Sequence, residues 1–276
     1  MISAMTALRN YPMISKWLRP WLDQVEQLGR PDDYRVILSE LGELQAGVAT
    51  EEHDRNLSRL DHDLCLASKV CSNLESLVKE KSRLGTDLDE ANRIILDKLA
   101  EIHAVVGLHR LGFDKIQFKG TPDFMALLNR RIFLVEVTRL GASKGKRSDV
   151  WDAEAGSVES GVYLGFSHGP GGKSDDRLSD AIYRETEGKC QQLRRSGEQS
   201  TGWIVWISLG RDYLGPGPYE LPNVGLLALM RTPKRALEDA MVHIREVGLY
   251  EELSYVVLSL GRDLDDLISP ELKRNG

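Results

Sequence analysis

Two runs of apolar residues in the second half of this chain, Trp203–Leu209 (WIVWISL) and Val224–Met230 (VGLLALM), constrain the fold most. A strand with one wet face alternates apolar and polar side chains. A run without alternation reads as a strand covered on both faces, which requires helical layers on either side of a sheet. Leu253–Leu260 (LSYVVLSL) reads as a last strand. Arg177–Arg195 has a helical pattern, and so does Pro233–Val247, with proline in its first turn. Upstream, Lys115–Lys119, Pro122–Leu128 and Arg131–Thr138 are short strand candidates, the last two joined by the polar corner Asn129-Arg130. The expected core is therefore α/β: a mixed sheet flanked by helices.

The first part of the chain reads differently. Before residue 112 glycines are few and helix formers run long. Met13–Gly29 reads as a helix interrupted by Pro20, and Asp33–Gly47 as a second. Glu51–Arg83 carries Leu57, Leu60, Leu64, Val70, Leu74 and Leu77 with no internal Gly or Pro, the pattern of one long amphipathic helix. Thr86, with Asp89 three residues on, is placed to cap a further helix that runs to Gly112. These patterns suggest a helical region over residues 1–85 and an α/β domain over 86–276. The long helix could pair with a second copy of the chain to form a homodimer, or fold back as an antiparallel hairpin on its own domain.

Composition removes several function classes. A chain of 276 residues can bury a core without disulfides, and its three cysteines, Cys65, Cys71 and Cys190, lack CxxC spacing. That suits a reduced, cytoplasmic setting and excludes a disulfide scaffold or zinc ribbon. No apolar run approaches the roughly 20 residues of a membrane helix, and the first residues lack the pattern of a secretory signal. The six histidines show no HxH or HExxH arrangement. Net charge is −6, unevenly spread. Residues 32–101 hold 16 acidic and 9 basic side chains, whereas residues 114–150 hold 8 basic and 4 acidic ones. A local basic patch can still meet a polyanion on an acidic protein.

The chemistry concentrates in Gly120–Thr138 (GTPDFMALLNRRIFLVEVT). Asp123 follows a proline at the start of one strand candidate, and Glu136 sits inside the next among Phe133, Leu134, Val135 and Val137. A carboxylate in an apolar strand needs a compensating cation. If the strands form a hairpin around Asn129-Arg130, Asp123 and Glu136 lie nearly opposite each other, and a divalent metal would relieve their repulsion.

Pro122-Asp123 followed by Glu136-Val137-Thr138 resembles the PD-(D/E)XK phosphodiesterases, the restriction-endonuclease-like nucleases. The order of the surrounding residues matches: a helix with Glu101 comes before, and a helix with Lys189 and Gln192 follows and leads into Trp203–Leu209. The resemblance covers residues 90 to 210 and implies a restriction-endonuclease-like fold and a Mg²⁺- or Mn²⁺-dependent nuclease acting on nucleic acid, most naturally DNA. It implies that Asp123, Glu136 and the Val137 carbonyl hold the metal, and that Lys189 orients or activates water. Gln192 would fix water or phosphate, and Glu101 would bind metal through water or complete a second site.

One position departs from the pattern: Thr138 stands where the family has its lysine. Some members supply that lysine from the following helix, and Ile182, Glu185, Lys189 and Gln192 form one helical stripe on which Lys189 would face the sheet. The alternative is a non-catalytic nucleic-acid-binding or scaffold protein that keeps the fold. Taken singly, each site residue has an ordinary explanation: a turn-opening Asp123, an edge-strand Glu136, a solvated Glu101, Lys189 and Gln192. Lys119, Arg139, Lys144, Lys146 and Arg147, with Lys115, Arg130 and Arg131, are candidate contacts to a phosphate backbone, or else a solvated mixed-charge surface. His168–Ser174 (HGPGGKS) is not a P-loop, because Ser167 stands where the first glycine belongs and Asp175 and Asp176 would repel phosphate. A mobile loop closing over substrate, or plain disorder, fits residues 141–175 better.

Overall fold

A computed structural model describes residues 8–27, 41, 44, 47–80, 88–140, 174–209, 226–248, 251–259 and 267–269. The chain divides into two compact units, Met1–Ile132 and Phe133–Gly276. The architecture is α/β, with helices flanking mixed-direction sheet strands in each unit. No described helix is long and apolar enough to cross a membrane.

In the first unit a short 3-10 turn, Leu8–Asn10, leads into α1 (Pro12–Gln27). Pro12 opens this helix, and the next two amides, those of Met13 and Ile14, donate to Asp61 Oδ1 at 2.8 and 2.9 Å. A carboxylate from another helix thus satisfies donors that every helix start leaves orphaned. Tyr11, just before, donates its hydroxyl to Asp54. Burial and the Asp54 carboxylate push that hydroxyl up to about 12. Pro20 lies inside α1 and does not end it, contrary to the interruption the sequence suggests. Trp17, Leu18, Trp21 and Leu22 are buried around it, so packing outweighs the one hydrogen bond that a proline forfeits.

The segment expected to be one long helix is two. Residues Glu51–Val70 form α2, then Cys71–Ser72 form the short strand β1, and Leu74–Glu80 form α3. β1 pairs in parallel with β2 (Asp114–Phe118), Cys71 opposite Ile116, and Asn73 takes φ +62° to turn the chain into α3. Asparagine tolerates that left-handed conformation, and a partner strand more than forty residues away is invisible to helical periodicity. Leu57, Leu60, Leu64, Leu74 and Leu77 are all buried within this unit, α2 packing on α1 and on α4 (Leu88–Arg110). The stripe that invites self-pairing thus faces its own unit. α4 ends in a Schellman motif, with the Gly112 amide on the His109 carbonyl and the Phe113 amide on that of Leu108. Gly112 at φ +88° supplies the left-handed residue the motif needs. The proposed Thr86 cap and most of the Asp33–Gly47 helix fall outside the described residues. β2 pairs antiparallel with β3 (Phe124–Leu128), and the corner expected at Asn129-Arg130 has both residues at positive φ, the conformation of a two-residue hairpin turn.

β4 (Arg131–Leu140) carries the chain into the second unit. There β4, β5 (Gly202–Leu209) and β6 (Leu253–Ser259) run parallel, and β7 (Leu267–Ile268) is antiparallel to β6. Nearly every β5 residue is buried, as its unbroken apolar run requires. At its start, Gly202 leaves no room for a side chain: a Cβ there would lie 2.1 Å from Ser254 Oγ. α5 (Ser174–Ser196) packs on β5 and on α6 (Leu226–Glu246). α6 corrects a second expectation, because Leu226–Met230, read as part of a buried strand, is its first turn and Pro233 lies in its interior. A seven-residue apolar run looks the same in a buried strand and in a helix, and periodicity cannot separate them.

Candidate functional site

Glu136 is the anomaly of the second unit. It sits mid-strand in β4, opposite Val205, between Val135 and Val137, and is only 3 % exposed. The ordinary reading of an edge-strand glutamate facing solvent is therefore excluded. A buried carboxylate needs a cation within reach. The cation comes from α5, where Lys189 Nζ lies 2.9 Å from Glu136 Oε2 with its side chain 18 % exposed. Gln192 Oε1, one turn further and at the surface, accepts a second Nζ hydrogen at 3.0 Å.

The helix is built to deliver that lysine. Leu178, Ile182, Thr186, Cys190 and Leu193 recur every three or four residues and are buried, so α5 presents one stripe inward and Lys189 rides on its flank. Thr186 keeps its hydroxyl inside the helix, on the Ile182 carbonyl at 2.7 Å. Cys190, beside Lys189, is buried with its thiol pushed up to about 12, chiefly by burial, so it is a packing group and not a nucleophile.

One turn before Lys189, Glu185 Oε2 accepts a hydrogen bond from Thr138 Oγ1 at 2.9 Å. Thr138 thus has a partner of its own on the helix that carries the lysine. Glu185 was legible only as a member of the helical stripe; its place four residues before Lys189 was the signal that it shares the same face.

Of the other expected residues, Asp123, Glu101 and Lys119 lie in the first unit and Val137 and Arg139 in the second. Asp123 is half-buried, immediately before β3. Its carbonyl accepts the Lys119 amide at 2.9 Å, closing the turn Gly120–Pro122, in which Gly120 has φ +90° and the Thr121–Pro122 peptide is cis. Glu101 is 8 % exposed on α4, not solvated, and both its oxygens take Lys98 Nζ at 2.9 Å. Lys98, 3 % exposed and 5.8 Å from the centre of the Phe118 ring, escaped the sequence reading; its spacing three residues before Glu101 was the available clue. Val137 lies mid-strand opposite Trp206. Lys119 is exposed and, with Asn73, Ser76, Phe118 and Gly120, lines a shallow pocket of about 280 Å³. Arg139 is half-buried on β4. Lys144, Lys146, Arg147 and the His168–Lys173 stretch lie outside the described residues.

Glu136, Lys189 and Gln192 are thus brought together, with Thr138 and Glu185 beside them, while Glu101 belongs with Lys98. No group of three or more His, Cys, Asp or Glu side chains converges among the described residues. A set of one or two carboxylates with oxygen donors suits Mg²⁺, which keeps several waters, and does not suit zinc. No known protein family, curated protein or solved structure matches this chain.

Proposed function

We propose that this chain is a Mg²⁺-dependent phosphodiesterase of the restriction-endonuclease-like kind, hydrolysing nucleic acid, foremost DNA. The observation that carries the reading is the buried Glu136–Lys189 pair, 2.9 Å across. A strand carboxylate and a lysine from the following helix are what the motif order calls for when Thr138 stands in the usual lysine position.

The reading requires Asp123 to meet Glu136. A two-residue corner at Asn129-Arg130 would pair position 128 with 131, and that register, if carried along both strands, would pair 123 with 136. In such a site Asp123, Glu136 and the Val137 carbonyl would hold the cation. When bound, the cation acts as a Lewis acid toward phosphate and lowers the pKa of its water. A carboxylate has about four lone-pair sites, so Glu136 can serve the cation and Lys189 together. Lys189, largely withdrawn from water, offsets charge developing on the phosphate, and Gln192 fixes its ammonium from the solvent side. Lys119 and Arg139, with Lys144, Lys146 and Arg147, supply contacts to flanking phosphates, so binding should weaken steeply with salt.

A plasmid-nicking assay in Mg²⁺ or Mn²⁺ tests this reading. Nicking by the wild type, lost in Asp123→Ala, Glu136→Ala and Lys189→Met, is the expected result. Nicking that survives both carboxylate substitutions refutes the site. A second reading draws on the Thr138–Glu185 bond, which occupies the position where the lysine would stand. In that reading the pair only ties α5 to the sheet of a nucleic-acid-binding or scaffold protein. Calorimetric titration showing no Mg²⁺ or Mn²⁺ binding would favour it.

A further inference from the structure

We propose that Thr138 is a positioning residue that sets the register of α5 against β4 and thereby holds Lys189 on Glu136; the proposal deepens the nuclease reading and rests on it for its kinetic consequence. Two rungs join the strand to the helix: Glu136 to Lys189 and Thr138 to Glu185, each 2.9 Å long. Glu136 and Thr138 are two apart on one strand face, a rise of about 6.6 Å. Lys189 and Glu185 are four apart on one helix face, a rise of about 6 Å. The spacings match, so both rungs form at once when strand and helix run in opposite directions.

The neighbouring registers are penalised. Sliding α5 by one turn one way puts Glu185 opposite Glu136, and two carboxylates meet in a buried site. Sliding it the other way puts Leu193 opposite Glu136 and takes the ammonium away from a buried carboxylate. Those penalties act on whole-turn slides; smaller shifts go unread by the Glu136–Lys189 rung, because a long lysine side chain tolerates displacement and rotation of its helix. Thr138 is short and β-branched, with a stiff χ1, so its hydroxyl reads the position of Glu185 closely. The residue in the usual lysine position thus serves the lysine that has moved to the helix.

Amine reactivity of Lys189 tests the proposal whether or not the protein cuts DNA. In the full chain at fixed mildly alkaline pH, acetylation by trace acetic anhydride is followed by peptide mass spectrometry, with the exposed Lys115 and Lys119 as internal references. The Nζ of Lys189 is held between Glu136 and Gln192 with its side chain 18 % exposed, so the reagent reaches it poorly and loosening the pair raises the rate. Thr138→Val and Glu185→Leu should each raise Lys189 acetylation severalfold relative to the references. Thr138→Ser and Glu185→Gln, which keep a hydroxyl donor and an oxygen acceptor, should label as the wild type does. If the wild type nicks plasmid, Thr138→Val should lower kcat and leave KM unchanged. Equal Lys189 labelling in Thr138→Val and wild type, both folded by circular dichroism, overturns the proposal. A wild type that does not nick removes the nuclease reading and leaves the labelling ratio to decide this one.

Discussion

Replacing Lys189 with methionine isolates the energetics of the candidate site, because it keeps the side chain's length and removes the charge. Glu136 stays 3 % exposed in a strand of apolar neighbours, now without its ammonium. Breaking a buried pair by deleting one partner costs about 3–5 kcal/mol; Lys189 retains some exposure, which argues for the lower end, about 3 kcal/mol. For a chain of this size each kcal/mol moves the midpoint by about 2–4 °C, so Tm at pH 8 should fall by about 6–12 °C. The deficit should depend on pH in a stated direction. Without its cation, the buried Glu136 carboxyl in the variant has a folded pKa above its unfolded value. A group raised in this way contributes stability below the unfolded pKa and loses it as pH rises through the folded pKa. The gap between Lys189→Met and wild type should therefore narrow toward pH 5 and be fullest at pH 8. The double variant Glu136→Gln, Lys189→Met should recover much of the loss, since no charge is left buried. Thermal unfolding by circular dichroism across that pH range is the assay. A Lys189→Met variant within 1 °C of wild type at pH 8, or a deficit indifferent to pH, would refute the argument.

Gly202→Ala places a Cβ 2.1 Å from Ser254 Oγ and 3.1 Å from the Phe133 ring, so it should destabilise the protein by about 1–3 kcal/mol, with partial recovery in Ser254→Gly. Thermal melts of the three variants decide this. Asp61→Ala strips the acceptor from the Met13 and Ile14 amides and should cost about 1–2 kcal/mol in urea unfolding; an unchanged midpoint would mean water replaces it fully. Native alkylation with iodoacetamide near pH 8 should modify the half-buried Cys65 and spare Cys71 and Cys190, both buried with thiols near 12. Because those two thiols and Tyr11 hold their protons more tightly when folded, stability should fall as pH rises, from about 9 for the thiols and from about 10 for Tyr11, toward 12. A flat alkaline profile would contradict their burial.

What the sequence by itself determined is local or periodic. The five longer strands, the two-residue corner and the helix carrying Lys189 are written in short-range pattern: apolar runs, a polar dipeptide between two of them, a stripe every three or four residues. That Lys189 faces the sheet was legible for a related reason, since its helical stripe begins with apolar Ile182; that its ammonium meets Glu136 was not, because the sequence reading gave that carboxylate a metal ion as its cation. The tertiary structure alone decided the rest. Cys71–Ser72 became a strand because β2 offered a ladder, which no local propensity encodes. Leu226–Met230 became a helical turn although a buried strand has the same apolar composition. Pro20 was absorbed because the aromatic and aliphatic side chains around it are buried. The partnerships of Glu101 with Lys98 and of Thr138 with Glu185 depend on which way each helix is rotated about its axis. Side-chain spacing narrows that rotation to a face, and only packing against the rest of the unit selects the atoms that meet.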